Sequence, residues 1–372
     1  MINILLVLIY TFFSFFANAE KISDINSYKK TKLNFKITKL SENKLNYPWG
    51  MTFVDSENIL ITEKKGNLIK LNISTGEIIK IDHPIPIYSS GQGGLLDVFS
   101  HSDGFVYFTY SHDFGKNKRN ENISSTGIGR GILSQDKITN FEVLLTGKPN
   151  LNTNKHWGAR IAIKEDLIYV GFGERDYGMI AQDPQKHPGS IIRIKTDGSI
   201  PKDNPSFKGY EEWLPEIFQI GMRNPQGITV SPYNGEVYFS QHGPMGGDNI
   251  GKVSFAGNFG WKDVAWGGKE YSGKKIGTKP FKSKYNKNII TWVPSIAIGN
   301  IAFYNGKIFP EWEGSLIFCA TKAKLLGRLK FENDNVVKEE IIIKDIKKIG
   351  RIRDFEIDMH GNIFIISDEG KS

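Results

Sequence analysis

The sequence predicts an all-β protein, a six-bladed β-propeller of four-stranded antiparallel sheets. A phrase made of two short apolar, alternating stretches separated by a polar turn recurs six times. The recurrences fall roughly 50 to 70 residues apart, the range of one propeller blade. No long helical period interrupts them, so the whole of residues 20–372 reads as one propeller domain despite its length.

In chain order the phrases are WGMTFVDSENILITEKKGNLIKLN from Trp49, GGLLDVFSHSDGFVYFTYS from Gly93 and GARIAIKEDLIYVGFGE from Gly158. They return as QGITVSPYNGEVYFSQHG from Gln226, NIAFYNGKIFPEWEGSLIFCAT from Asn300 and IRDFEIDMHGNIFIISDEG from Ile352. Turns such as Pro-Tyr-Asn-Gly supply the residues that tight hairpins require. The last phrase stops soon after its second strand, so its outer strands must come from elsewhere. The alternating segment KLNFKITKL, residues 32–40, is expected to supply one and close the ring.

Ahead of the repeats, residues 1–19 are apolar, free of charged side chains, and end in Ala17-Asn18-Ala19, the small-x-small pattern of a secretory cleavage site. A cleaved signal peptide and a periplasmic or secreted protein are expected, without stable membrane insertion after cleavage; because no Lys or Arg precedes the apolar run, an uncleaved anchor is the alternative. The single cysteine, Cys319, lies in an apolar stretch, so no internal disulfide is available. The formal net charge is +8, but the lysines are scattered among acids and asparagines, with no basic helix or aromatic-basic ribbon. A nucleic-acid partner is therefore not expected.

Several loop stretches stand out. In NKHWGARIAI, His156 and Arg160 flank the start of an apolar run. An imidazole there suits a general base, and equally a side chain that packs or caps the strand. Arg351 and Arg353 in GRIRDFE are two apart; on a regular strand they share a face and bind one anion, or form a solvated edge answered by Asp354 and Glu356. SQHGPMGGDN, residues 240–249, reads as a backbone cradle for a hard cation, or simply as a glycine-rich turn.

Taken together, YPWGMTF, GQGGLLDV, HWGARIAI, AQDPQKHPGSIIRIKTDGSIPKDNP, GMRNPQGITVSPYNGEVYFSQHGPMGGDNI, NFGW, VPSIA and GRIRDFEIDMHGNIFIISD, in this order, resemble the glucose/sorbosone dehydrogenase family from about Tyr47 to Asp368. The resemblance implies a soluble quinoprotein that uses pyrroloquinoline quinone (PQQ) and Ca2+ to oxidise the C1 hydroxyl of aldoses to lactones, with an external quinone or cytochrome as electron acceptor. It implies His156 as the base, with Arg160 behind it, and Arg223 at the reacting centre. Arg223, Asn224, Ser295, Lys322, Arg351 and Arg353 would bind the cofactor, Gln92 the sugar, and the carbonyls of Gly243 and Pro244 the calcium; Trp292 reads as an apolar wall for the sugar ring, or simply as core. Two positions depart from the family pattern. Gln241 stands where a glutamate is common, and Lys155 where some glucose-specific members carry an aspartate that orients the base. No role is carried onto GFGERDYG. Two other classes fit the fold, a non-catalytic propeller binding module and a calcium-dependent lactonase. The convergent cations argue against the lactonase, which needs several carboxylates and asparagines at the channel mouth.

Overall fold

The computed structural model describes residues 20–41, 45–277, 279–332, 335–345 and 349–368. The leader expected over residues 1–19 lies outside them. Among the described residues the chain is almost wholly β, with four 3-10 turns as its only helical segments.

Five blades are complete. The first comprises Pro48–Phe53, Asn58–Glu63, Asn67–Asn72 and Ile78–Ile81, and the second Leu95–Ser100, Val106–Lys116, Asn122–Ser134 and Lys137–Thr146. Strands Gly158–Lys164, Leu167–Phe172, Ser190–Lys195 and Ile217–Ile220 make the third, with Gly257–Asn258 added at its edge. Pro225–Val230, Val237–Gln241, Asp248–Lys252 and Ile290–Trp292 make the fourth; Ile298–Phe303, Leu316–Ala320, Leu325–Glu332 and Asn335–Lys344 make the fifth. Among the described residues the last phrase forms only a two-stranded sheet, Arg351–Ile357 with Ile363–Asp368, so the expected six four-stranded blades are corrected to five blades and a closing hairpin. Arg351–Ile357 packs against the inner strands of both the fifth and the first blade, which closes the ring.

The expected closing strand is also corrected. Residues 32–40 form no strand. The segment before them does the pairing: Lys21–Ser23 runs parallel to Ile290–Trp292 on the fourth blade, and Lys29–Lys30 runs parallel to Asn335–Lys344 on the fifth. Between these strands, Ile25 and Tyr28 are buried in the core shared by those blades. The Tyr28 hydroxyl accepts a bond from the Trp292 indole N–H at 2.9 Å. Tyr28→Phe is expected to cost about 1 kcal/mol, one net buried hydrogen bond, read as a lower midpoint in urea unfolding with unchanged slope.

Each inner strand shows a register shift near its start: between Pro48 and Met51, Leu95 and Val98, Gly158 and Ile161, Pro225 and Gly227, Ile298 and Ile301, and Ile352 and Asp354. A bulge breaks the alternation of side chains and re-aims the residues around it. On the axis, Arg160 uses the space these bulges leave. Its guanidinium donates to Asp97 at 2.9 Å and Asp354 at 2.7 Å, and to the carbonyls of Trp49, Gln226 and Arg353. One side chain thus ties its own inner strand to those of the first, second and fourth blades and the closing hairpin. Arg160 is an axial strut, which corrects the expectation that it backs His156. A cavity of about 270 Å³ adjoins it, lined among others by Asp97, Asn300, Asp354 and Glu356. Burial, then the neighbouring Asp354 and Asp97, push the Glu356 carboxyl well above the usual range.

Candidate active site

In each blade the first strand leaves one face of the ring and the second returns to it. Loops entering an inner strand and loops joining second to third strands therefore open on the same face. His156, Gln92, Arg223, Asn224 and Ser295 lie in or beside the first kind of loop; Gly243, Pro244 and Lys322 lie in the second. Arg351 and Arg353 begin the hairpin's inner strand. Residues from position 92 to 353 are gathered at one mouth because the same loop types recur around the ring.

His156 has φ +48° and is nearly buried. Its backbone N–H donates to Gln92 Oε1 at 2.8 Å, and its Nδ1 meets Glu174 Oε1 at 2.5 Å. Glu174 is 1% exposed, and its other oxygen accepts the Gly178 N–H at 2.5 Å. A carboxylate accepting from Nδ1–H leaves Nε2 as the ring's acceptor. The orienting carboxylate that position 155 does not provide comes from the loop after Leu167–Phe172. Glu174→Gln keeps the shape but allows the opposite tautomer, so kcat is expected to fall roughly 10- to 100-fold with unchanged cofactor affinity, measured by steady-state kinetics and cofactor titration.

The strand after His156 approaches its neighbour closely. Gly158 has φ +69°, and a Cβ there would meet Gly171 O at 2.3 Å. Its N–H donates to Asn224 Oδ1 at 3.0 Å, which leaves the Asn224 amide NH2 as the donor end. Arg223 is 6% exposed and lies against the Trp261 ring. Its backbone N–H donates to Gln241 Oε1 at 2.8 Å, while Gln241 Nε2 donates to Asn249. An amide at 241 therefore accepts from Arg223 as a carboxylate would, and adds a donor.

Asp248 organises the cradle. Its Oδ1 accepts the Gly243 N–H at 2.8 Å, its Oδ2 accepts the N–H groups of Ile296 and Ile298, and its own N–H donates to Ser295 Oγ. A Cβ on Gly243 would lie 2.4 Å from the Gly247 carbonyl carbon, so the loop closes this tightly only with glycine. Gly243 and Pro244 are buried, and no hydrogen-bond donor reaches either carbonyl among the described residues. Burial holds the adjacent His242 imidazole down at about 4.

Arg351 and Arg353 do converge, though by another route than strand alternation. Arg351 pairs across the hairpin with Asp368 at 2.8 Å, and Arg353, at the bulge, reaches the same carboxylate at 2.8 Å. Asp354 serves Arg160 instead. Lys64, absent from the sequence reading, joins them: burial, then the charge of Arg353, lower its ammonium. Lys322 is exposed on the same face. Trp292 is corrected. It is fully buried and packed on Phe318, so it offers no face to a sugar.

The sequence model of the Glucose / Sorbosone dehydrogenase family matches residues 45–372. The chain belongs to that family. This glucose/sorbosone dehydrogenase family member is therefore an oxidoreductase, and its all-β propeller is the fold of solved relatives. It is 32% identical over 340 residues to the aldose sugar dehydrogenase YliI of Escherichia coli K12, covering 88% of this chain and 89% of that one. It is 25% identical over 407 residues to quinoprotein glucose dehydrogenase B of Acinetobacter calcoaceticus, covering 87% and 84%. The apo-form crystal structure of the soluble aldose sugar dehydrogenase of E. coli superposes with a TM-score of 0.80 at 29% identity, covering 88% and 94%.

Proposed function

We propose that this family member oxidises the C1 hydroxyl of aldoses to lactones with PQQ and Ca2+, in the periplasm or outside the cell, and passes electrons to an external quinone or cytochrome. The observation that carries the reading is the His156–Glu174 pair on the same face of the ring as Arg351 and Arg353, which share the single carboxylate of Asp368. The donor set fits the cofactor. Arg351 and Arg353 share one carboxylate, Lys64 and Lys322 lie on the same face, and the buried Arg223 Nε has no partner among the described residues, which together suit a ligand with three carboxylates. The cradle fits the metal, since two buried carbonyls on a tight loop are oxygen donors of the kind calcium accepts. The names of the E. coli and Acinetobacter relatives support the sugar and the quinone.

When bound, PQQ held by Arg223, Arg351 and Arg353 would supply the hydride acceptor, and calcium on the Gly243 and Pro244 carbonyls would supply a Lewis acid. The protein does the rest. Glu174 holds His156 in the tautomer whose Nε2 accepts the C1 hydroxyl proton as the hydride departs. Gln92 fixes the backbone that carries His156. Arg223 and Asn224, locked to Gln241 and Gly158, present fixed donors, so little reorganisation accompanies reaction. Reconstitution of purified apoprotein with PQQ and Ca2+, followed by dye-linked oxidation across an aldose panel, tests the reading. Loaded protein that oxidises no aldose would reject it in favour of a ligand-binding propeller.

A further inference from the structure

The turn after Glu174 holds two consecutive non-glycine residues in the left-handed region, Arg175 at φ +59° and Asp176 at φ +65°. Such backbone is costly for residues with a Cβ and persists only where the surroundings fix it. Here Arg175 does so. It is 2% exposed, stacks on the Trp157 ring, and donates to the carbonyls of Ser124, Thr153 and Lys155. The anchored guanidinium clamps the loop that carries His156 and drives the next residue outward. Asp176 projects at the mouth, with its side chain 48% exposed and one oxygen 2.9 Å from Lys155 Nζ. Ligand-capable atoms of His156, Glu174 and Asp176 lie within 4.8 Å of one another.

Resting on the proposed aldose oxidation, we infer that Asp176 is a specificity-determining residue that accepts a hydrogen bond from the sugar hydroxyl next to the reacting carbon. Neighbouring hydroxyls of a sugar ring sit about one hydrogen-bond length apart. With the Asp176 carboxylate within 4.8 Å of a ring nitrogen of His156, a sugar whose C1 hydroxyl meets the imidazole brings its C2 hydroxyl within reach of Asp176. Glu174 is buried behind the imidazole and already holds it, so Asp176 is the carboxylate of this trio that faces incoming substrate. Lys155, paired to Asp176 from outside, keeps it ionised and turned to the mouth: burial raises the carboxyl, and the Lys155 ammonium outweighs that, leaving it below the ordinary carboxylate value. The same pair gives Lys155 a role where glucose-specific members carry an aspartate.

The test compares D-glucose with 2-deoxy-D-glucose in wild type, Asp176→Asn and Asp176→Glu, all loaded with PQQ and Ca2+. For Asp176→Asn, KM for glucose is expected to rise about 10- to 100-fold, the loss of a charge-assisted bond, while KM for the 2-deoxy sugar and kcat change little. Asp176→Glu should restore part of the preference, and calorimetric titration of both sugars should show the same split in affinity. A glucose to 2-deoxyglucose ratio unchanged by Asp176→Asn overturns the inference. So does an equal loss on both sugars, which would mean that Asp176 acts by positioning His156. Both of those outcomes leave the aldose reading intact, whereas a loaded wild type that oxidises neither sugar overturns both.

Discussion

His156→Ala is expected to lower kcat by ~10² to 10⁴ while leaving the dissociation constant for PQQ nearly unchanged. The size follows from what is lost. The substitution removes the only acceptor aimed by a buried carboxylate among the candidate residues, and it leaves Glu174 without its 2.5 Å partner in an almost closed site. Cofactor affinity should persist because Arg223, Asn224 and the Gly243–Asp248 loop are braced by Gln241, Gly158 and Ser295 and not by the imidazole. Single-turnover reduction of bound PQQ by an aldose, beside a PQQ titration of the apoprotein, measures both quantities. Full turnover at saturating PQQ would remove His156 from the role of proton acceptor.

The opposite phenotype is expected of Arg351→Ala combined with Arg353→Ala. Charged hydrogen bonds are worth roughly 1.5 to 3 kcal/mol each, so PQQ binding should weaken by about 3 to 6 kcal/mol. The shared carboxylate places the result toward the upper end. With both guanidiniums gone, Asp368, nearly buried, is left without these two cations in front of an anionic ligand. Turnover should recover at high PQQ, and the weakening should be partly masked by salt, since Arg351 is about one-third exposed. Fluorescence titration with PQQ checks this; a dissociation constant within about threefold of wild type would place the anion elsewhere.

What the sequence made legible was the part of each blade nearest the axis. The repeated phrases hold the first two strands of each sheet, and in the first blade also the third, joined by short turns of recognisable chemistry. Outer strands were less visible. Lys137–Thr146 and Asn335–Lys344 are half exposed, so their apolar pattern is diluted. The pairing of Lys21–Ser23 and Lys29–Lys30 was hidden because two- and three-residue strands leave no period to read. In the site, residues within a motif were found and residues that answer a motif from another loop were not. Glu174 is 18 positions from His156, Asp248 is 47 from Ser295, and no spacing rule links them. A partial signal existed, for an acid just past the end of an apolar strand is placed at the channel mouth by topology alone. Arg160 misled for the same reason, since nothing local reveals that the acids answering it stand at positions 97 and 354.

The two short parallel strands near the start of the chain carry a kinetic consequence. Lys21 pairs with Ile290, and Lys29 with Glu340, so the partners of this segment are synthesised long after it. Closing loops of that size is entropically expensive, and such contacts form late. Until this segment docks, the outer strands Ile290–Trp292 and Asn335–Lys344 lack these partners, so the edges of the fourth and fifth blades are finished late. Order of synthesis and order of assembly thus run against each other for this segment, which precedes its partners in the chain and docks only once they have folded.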